Sequence, residues 1–288
     1  MDLPWAFIKL SRPHFLLGGV LMFALGAVAA GSVEPLAYAL GQVMVTAAQV
    51  TAHYVNEYAD LEPDRAVTRR TLFSGGSGVL VGGLLRPVVA IRAARIASAL
   101  AVGTALGLAF VNVYAALLGL AALAVSWSYS MPPLRLLGSG FGELAASAVV
   151  AGLVPLIGAF SQGGSATGAL LWAIAIVFML HLAMMLAFEL PDLESDAATG
   201  KRVLAVRIGR TRTRALITFL VLGAGGLLTG WGSSYAGSDR EWLATLAGLP
   251  AAALMLVAMV RDRAGLLTGA AVAMLVLTGA GLLFALVG

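Results

Sequence analysis

The chain has no cysteine, only three histidines, only 14 acidic residues, and no polar stretch long enough to form a domain of its own. Without cysteine, disulfides, thiolate metal sites and a cysteine nucleophile are excluded. His14, His53 and His181 show no metal-ligand spacing, and there is no nucleophilic triad and no Gly-rich Lys loop of the nucleotide-binding kind. The opening Met-Asp-Leu-Pro-Trp has neither a basic n-region nor a small-residue cleavage site, so the first apolar helix is expected to be retained. Charged residues make up 11% of the chain against 60% hydrophobic, with a mean hydropathy of +0.95. That balance excludes a soluble globule and indicates a single integral membrane domain over residues 1–288.

What is abundant is apolar sequence in pieces close to the length that crosses a ~30 Å hydrocarbon core. The pattern predicts an all-α, multi-pass integral membrane bundle of nine transmembrane helices, over residues 14–32, 36–57, 88–110, 113–129, 140–161, 166–189, 212–233, 242–260 and 265–287. Asn112 divides the third from the fourth. Pro155 and Pro250 lie inside spans and are expected to kink them. With the N-terminus placed inside, Arg240 is the one of the 18 Lys and Arg residues that falls outside. Cytoplasmic loops favour these cations, so the alternation supports an N-terminus in the cytoplasm and a C-terminus outside. The sequence pI near 9.8 then calls for no nucleic acid, because the cations sit where topology and anionic headgroups want them.

Against this background two acidic runs stand out, Asn56 to Asp64 and Glu189 to Asp196, which hold eight of the acids at positions 57, 60, 62, 64, 189, 192, 194 and 196. Each closes a long apolar segment on the cytoplasmic side. Residues four apart differ by about 40° around a helix, so Asn56, Asp60 and Asp64 form one stripe and Asp192 and Asp196 another, with Glu189 three residues earlier. One acidic loop is ordinarily a solvated helix end. Two on the same side with the same spacing point to a site for hard divalent ions, and two facing stripes suit two Mg²⁺ that share their shells with a diphosphate. Pro63 threatens the register of Asp64, and Pro191 is placed to begin a new turn.

Cations able to grip phosphate follow both runs: Arg69 and Arg70 after the first, Lys201 and Arg202 after the second. The topological bias accounts for most basic residues here with no ligand at all. The segment Ser74 to Gly78 is a flexible break that also offers backbone donors to phosphate. Tyr129 and Arg135, followed by Gly142-Glu143, lie in the next cytoplasmic loop and so on the same side as the acids. A cation-coupled transporter is the competing class, but it would carry its ionisable groups near the bilayer midplane rather than at its edge.

Three motifs, Asn56-xxx-Asp60-xxx-Asp64, Tyr129 to Leu136 with Gly142-Glu143, and Glu189-xx-Asp192-xxx-Asp196-xxx-Gly200-Lys201-Arg202, resemble those of the UbiA superfamily of intramembrane prenyltransferases. Within it, Asp196-Ala-Ala-Thr-Gly-Lys-Arg and Leu204 to Gly209 look most like the 1,4-dihydroxy-2-naphthoate prenyltransferases of menaquinone synthesis, with Glu57 and Val203 as departures. The resemblance implies a prokaryotic cell-membrane enzyme whose helices surround a central cavity, using two Mg²⁺, a polyprenyl diphosphate donor and a hydrophobic or aromatic acceptor. It implies Asp60, Asp192 and Lys201 as catalytic residues, Asn56, Asp60, Asp64, Asp192 and Asp196 as metal ligands, and Asn56, Arg69, Arg70, Tyr129, Arg135, Lys201 and Arg202 as substrate-binding residues. Other acceptors within the superfamily (another quinone precursor, a haem, a chlorophyllide, a glycerol-linked lipid) or cyclisation of the prenyl chain share these motifs.

Overall fold

Apolar segments in lipid must satisfy their backbone groups internally, and helices do so one segment at a time. The computed structural model describes residues 3–65, 76–198 and 200–287, and its regular structure is helical. In chain order the elements are α1 (Leu3–Ser11), α2 (Pro13–Ala29), α3 (Pro35–Ala59), α4 (Leu61–Arg65), α5 (Pro87–Ala109), α6 (Val113–Ser130), α7 (Gly142–Ala148), α8 (Val154–Ser161), α9 (Gly168–Glu189), α10 (Leu193–Ala198), α11 (Leu204–Ile208), α12 (Arg210–Tyr235), α13 (Asp239–Thr245), α14 (Leu249–Val260) and α15 (Ala264–Val287). Proline stands at the start of α2, α3 and α5, where its missing N–H costs nothing. Asn112 caps α6: its side chain accepts from Tyr114 N at 2.9 Å and Ala115 N at 3.3 Å, which separates α5 from α6.

Among the described residues, seven helical segments are long and apolar enough to cross a bilayer: α5, α6, α7 with α8, α9, α12, α13 with α14, and α15. An eighth is counted if α1 and α2 are one span, bent by 52° where Arg12 takes a left-handed φ of 48°. By length and apolar character alone, seven or eight of the described segments therefore qualify, against the nine expected. The helix that falls short is α3, which at 25 residues is long enough but carries Gln42, Thr46, Gln49, Thr51, His53, Asn56 and Glu57. It packs against α2, α5, α6 and α8.

Each of the two prolines sits beside a local change of helix type. A π-helical turn at Val149–Leu153 joins α7 to α8, and the Val154 N–H bonds back five residues to the Val149 carbonyl. This wider turn takes up the discontinuity beside Pro155. Pro250 lies in the first turn of α14, behind a 3₁₀ turn at Leu246–Gly248.

Small residues bring the helices together. A Cβ on Gly26 of α2 would lie 1.7 Å from the Pro155 carbonyl oxygen of α8, and one on Gly158 would lie 2.3 Å from that of Phe23. The two backbones touch, as expected where packing rather than water drives association. The space between α3, α6 and α8 is narrower than the central cavity expected. A void of about 20 Å³ lined by Met44, Gln49, Gly119, Ser126, Val149 and Ile157 remains there, room for roughly one water. Met44 fills the groove that Gly119 leaves, with Cε 2.0 Å from where a Cβ would sit, and Gln49 does the same at Gly19. Both are flexible side chains suited to filling irregular gaps and to leaving them.

Candidate active site

The first acidic motif keeps its register through Pro63. Asp60 N donates to the Asn56 carbonyl and Asp64 N to the Asp60 carbonyl, each at 2.8 Å, so i to i−4 bonds at both aspartates carry the spacing from α3 into α4. Asp60 itself leaves helical geometry (φ −94°, ψ 11°) and marks the joint. Asn56 Nδ2 donates to Asp60 Oδ2 at 2.9 Å and to Ser130 Oγ at 3.2 Å, which fixes the amide and ties α3 to the end of α6. Asp64 is buried, and Gly76 packs directly on it. At φ +72° Gly76 occupies the left-handed region, and a Cβ there would lie 2.0 Å from Asp64 Oδ2.

The second motif is built by a helix ending. After Glu189 the chain turns at Pro191, Asp192 N donates to the Glu189 carbonyl at 3.1 Å, and α10 begins. Asp196 N then bonds to the Asp192 carbonyl at 2.8 Å, keeping the two aspartates in helical register. Gly200, at φ +78°, closes α10 with a paired bond pattern: Gly200 N to the Ala197 carbonyl at 3.2 Å and Lys201 N to the Asp196 carbonyl at 3.0 Å. This is a Schellman ending, which requires a left-handed residue at that point. Its effect is to fold Lys201 back over the motif, with Nζ 3.7 Å from Asp196 Oδ1.

The two motifs share one electrostatic environment. The Asp196 carboxyl is raised above its usual range by burial, opposed by the Lys201 charge and reinforced by Asp192 and by Asp60 of the other motif. Asp60 is raised by burial too, with Lys201, the Asn56 hydrogen bond and Arg12 acting against it and Glu57 adding to it. Asp64 is pushed up to about 6 by burial and then by the Glu57 and Asp60 charges. Lys201 thus offsets carboxylates from both runs at once. Tyr129 lies within electrostatic reach of Asp60, Glu143 and Glu189.

The remaining candidates divide. Arg135 and Arg202 are exposed, and neither forms an ion pair with a described residue. The Arg202 carbonyl accepts from Arg207 Nε at 3.1 Å. Arg69, Arg70 and Ser74 lie outside the described residues. Two participants were not singled out from sequence. Glu57 is buried and pairs with Arg12, and Ser130 holds the Asn56 amide. The legible signal for Glu57 was its place three residues before Asp60, matching that of Glu189 before Asp192.

These residues suit a magnesium site of the open kind. Among the described residues, no three Asp, Glu or His side chains close on one point as a ready-made cage. Magnesium does not require one, since it keeps waters and takes its other ligands from phosphate oxygens. Carboxyls raised by burial and mutual repulsion are what a divalent cation would relieve. Asp60, Asp64, Asp192 and Asp196 would hold the ions, which when bound supply positive charge to phosphate oxygens.

A pH dependence follows. The Asp64 carboxyl titrates at about 6 in the folded protein against 3.8 ordinarily. Between those values the unfolded chain gives up this proton before the folded one, so the metal-free protein loses stability from this group as pH rises through that window. A metal must displace the same proton, so below about pH 6 apparent Mg²⁺ affinity should fall by up to about tenfold per unit and above it should level off. Calorimetric Mg²⁺ titration from pH 5 to 8 checks this, and an affinity independent of pH would remove Asp64 from the metal site.

No curated protein sequence matches this chain significantly. In three dimensions it resembles a UbiA homologue from Aeropyrum pernix K1 with a TM-score of 0.69 and 18% identity, over 98% of each chain. A UbiA homologue from Archaeoglobus fulgidus bound to GPP and Mg²⁺ gives 0.67 and 17%, over 98% of this chain and 99% of that one. Digeranylgeranylglyceryl phosphate synthase gives 0.68 and 16%, over 100% and 99%. The sequence model of the UbiA prenyltransferase family matches residues 16–277, and by that match the chain belongs to the UbiA prenyltransferase family.

Proposed function

We propose that this prenyltransferase moves a polyprenyl group from polyprenyl diphosphate to an aromatic acceptor, 1,4-dihydroxy-2-naphthoate of menaquinone synthesis being the leading candidate. The observation that carries the transfer chemistry is the meeting of the two acidic motifs around Lys201 at the end of an apolar bundle. A diphosphate is repelled by carboxylates, so this arrangement makes sense only with cations between them. The archaeal homologue that binds GPP and Mg²⁺ supports that reading. Two ions, one for each stripe, match the ligand supply.

Each residue then has a task. Lys201 meets the departing diphosphate with a compact charge and lowers the cost of C–O cleavage to an allylic cation. Asn56, locked by Asp60 and Ser130, orients the first stripe. Arg69, Arg70, Arg135 and Arg202 supply cations at the cytoplasmic mouth. Tyr129, beside the acids, is placed to present its ring or hydroxyl to the reacting carbon. The apolar helices exclude water that would quench the cation. The prenyl tail enters by displacing Met44 and Gln49, whose side chains fill the path between α3, α6 and α8.

The same reading completes the topology. We take α3 as a span whose polar side is turned inward: Thr51 is fully buried, while Leu36 and Val43 are exposed. With α1 and α2 as one span this restores nine, N-terminus cytoplasmic and C-terminus outside, in a prokaryotic cell membrane. The naphthoate assignment rests on the motif from Asp196 to Arg202. A second acceptor class, a glycerol-linked lipid phosphate, is favoured by the similarity to digeranylgeranylglyceryl phosphate synthase.

Purified protein with Mg²⁺, radiolabelled geranyl or farnesyl diphosphate, and either 1,4-dihydroxy-2-naphthoate or a prenylglyceryl phosphate decides between them. Label in the naphthoate product is the expected result. Label only in the lipid transfers the assignment to the second class, and no transfer to any of a wider acceptor panel ends the proposal.

A further inference from the structure

The two acidic motifs share a feature that metal binding does not explain. Each is preceded, three residues before its first aspartate, by a glutamate: Glu57 before Asp60 and Glu189 before Asp192. Glu57 is 2% exposed and accepts from Ser77 N at 2.5 Å and from Ser77 Oγ at 2.7 Å. Ser77 lies 20 residues further on, where the chain returns from the loop that follows the first motif. Glu189 is half-buried and accepts from Ala205 N at 3.2 Å, 16 residues further on, where the chain returns from the loop that follows the second motif. In both halves a glutamate on a long helix holds a backbone N–H of the segment coming back to the bundle.

From this correspondence we infer that Glu57 and Glu189 are equivalent positioning residues, each anchoring the point where the chain rejoins the bundle after its motif, at Ser77 in the first half and Ala205 in the second. This rests on the prenyl-transfer reading of the shared site. The two anchors meet the cost of burying a carboxylate differently. Glu57 pairs with Arg12 at the bend between α1 and α2, so its anchor also ties in the N-terminal helix. Glu189 meets Glu143 instead. Glu143 is 1% exposed, and its Oε1 accepts from Leu204 N at 3.1 Å, one residue before the N–H held by Glu189. Glu143 Oε2 is reached by no N–H or hydroxyl donor among the described residues. The Glu143–Glu189 pair therefore caps consecutive N–H groups at the start of α11, just after Lys201 and Arg202.

What the anchors set is the approach of backbone to site. The first puts Gly76 against Asp64, so close that no side chain fits between them. The second, with the Schellman ending of α10, closes both ends of the short segment that carries Lys201. Loss of an anchor should therefore weaken substrate and metal binding more than it slows chemistry.

Hydrogen–deuterium exchange on the full-length protein in detergent tests this without relying on turnover. In Glu57→Ala the peptide containing Ser77 should exchange about tenfold faster, with Leu204 and Ala205 unchanged; Glu189→Ala should give the reverse. Glu57→Gln and Glu189→Gln keep a side-chain carbonyl acceptor and should retain the protection; they also serve if an alanine variant fails to fold. With geranyl diphosphate, Glu189→Ala should raise KM about tenfold while kcat changes less than threefold, a split that general loosening would not produce. Unchanged exchange at both segments, or equal acceleration of both in either variant, overturns the inference even if prenyl transfer is intact. Absent transfer by the wild type would instead sink the functional reading and leave the exchange result standing.

Discussion

Asp60→Ala and Asp192→Ala should each lower prenyl transfer by about 10³-fold or more while the protein still inserts and unfolds at close to the wild-type temperature. The magnitude follows from removing a ligand to a cation that stabilises developing charge, an effect of several kcal/mol. Neither carboxylate is packed in the apolar core, and Asp60 sits at a helix joint where alanine costs little. Its loss removes only the hydrogen bond from Asn56 and a carboxyl already raised by burial. Melting curves together with initial rates under saturating geranyl diphosphate check both halves of the expectation. A folded double variant with near-normal rates would exclude the metal site and the mechanism built on it.

Removing the metal should be as severe. In EDTA the rate should fall to the uncatalysed background and return on adding excess Mg²⁺, with Mn²⁺ as an effective substitute. The reason is the charge balance of the site. The Lys201 charge acts on Asp60, Asp64 and Asp196 together, and its Nζ already lies 3.7 Å from Asp196 Oδ1. A diphosphate entering without a divalent cation would add negative charge to a cluster whose members already raise one another. Persistent turnover in thoroughly chelated buffer would show that lysine and arginine alone carry the leaving group, and would reassign the acids to a structural role.

Membrane residence, the helical class and the two motifs were legible in the sequence because each is written locally. Apolar length sets spans, Asn112 writes its own cap, and a spacing of four places carboxylates on one helical face whatever surrounds them. Even Pro63 and Pro191 proved local matters: one sits where the i to i−4 chain passes it, and the other turns the chain into α10. The number of spans turns on α3, which the sequence reads as a span but which carries glutamines and threonines beside its buried Met44, Val45 and Val55.

Only the tertiary structure decided which partners each charge would have. That Lys201 offsets both Asp196 and Asp60 depends on a Schellman turn and on the fold bringing two motifs 132 positions apart within electrostatic reach of one lysine. That Glu57 takes Arg12 and Ser77, while Glu189 takes Glu143 and Ala205, cannot be read from spacing, since spacing fixes a face and not what meets it. The interior was likewise a matter of packing: the resemblance implied a cavity, and Met44 and Gln49 occupy the space beside Gly119 and Gly19 and line the small void that remains. Local rules act through the backbone at short range, whereas burial and charge balance depend on whichever segments the fold brings into contact.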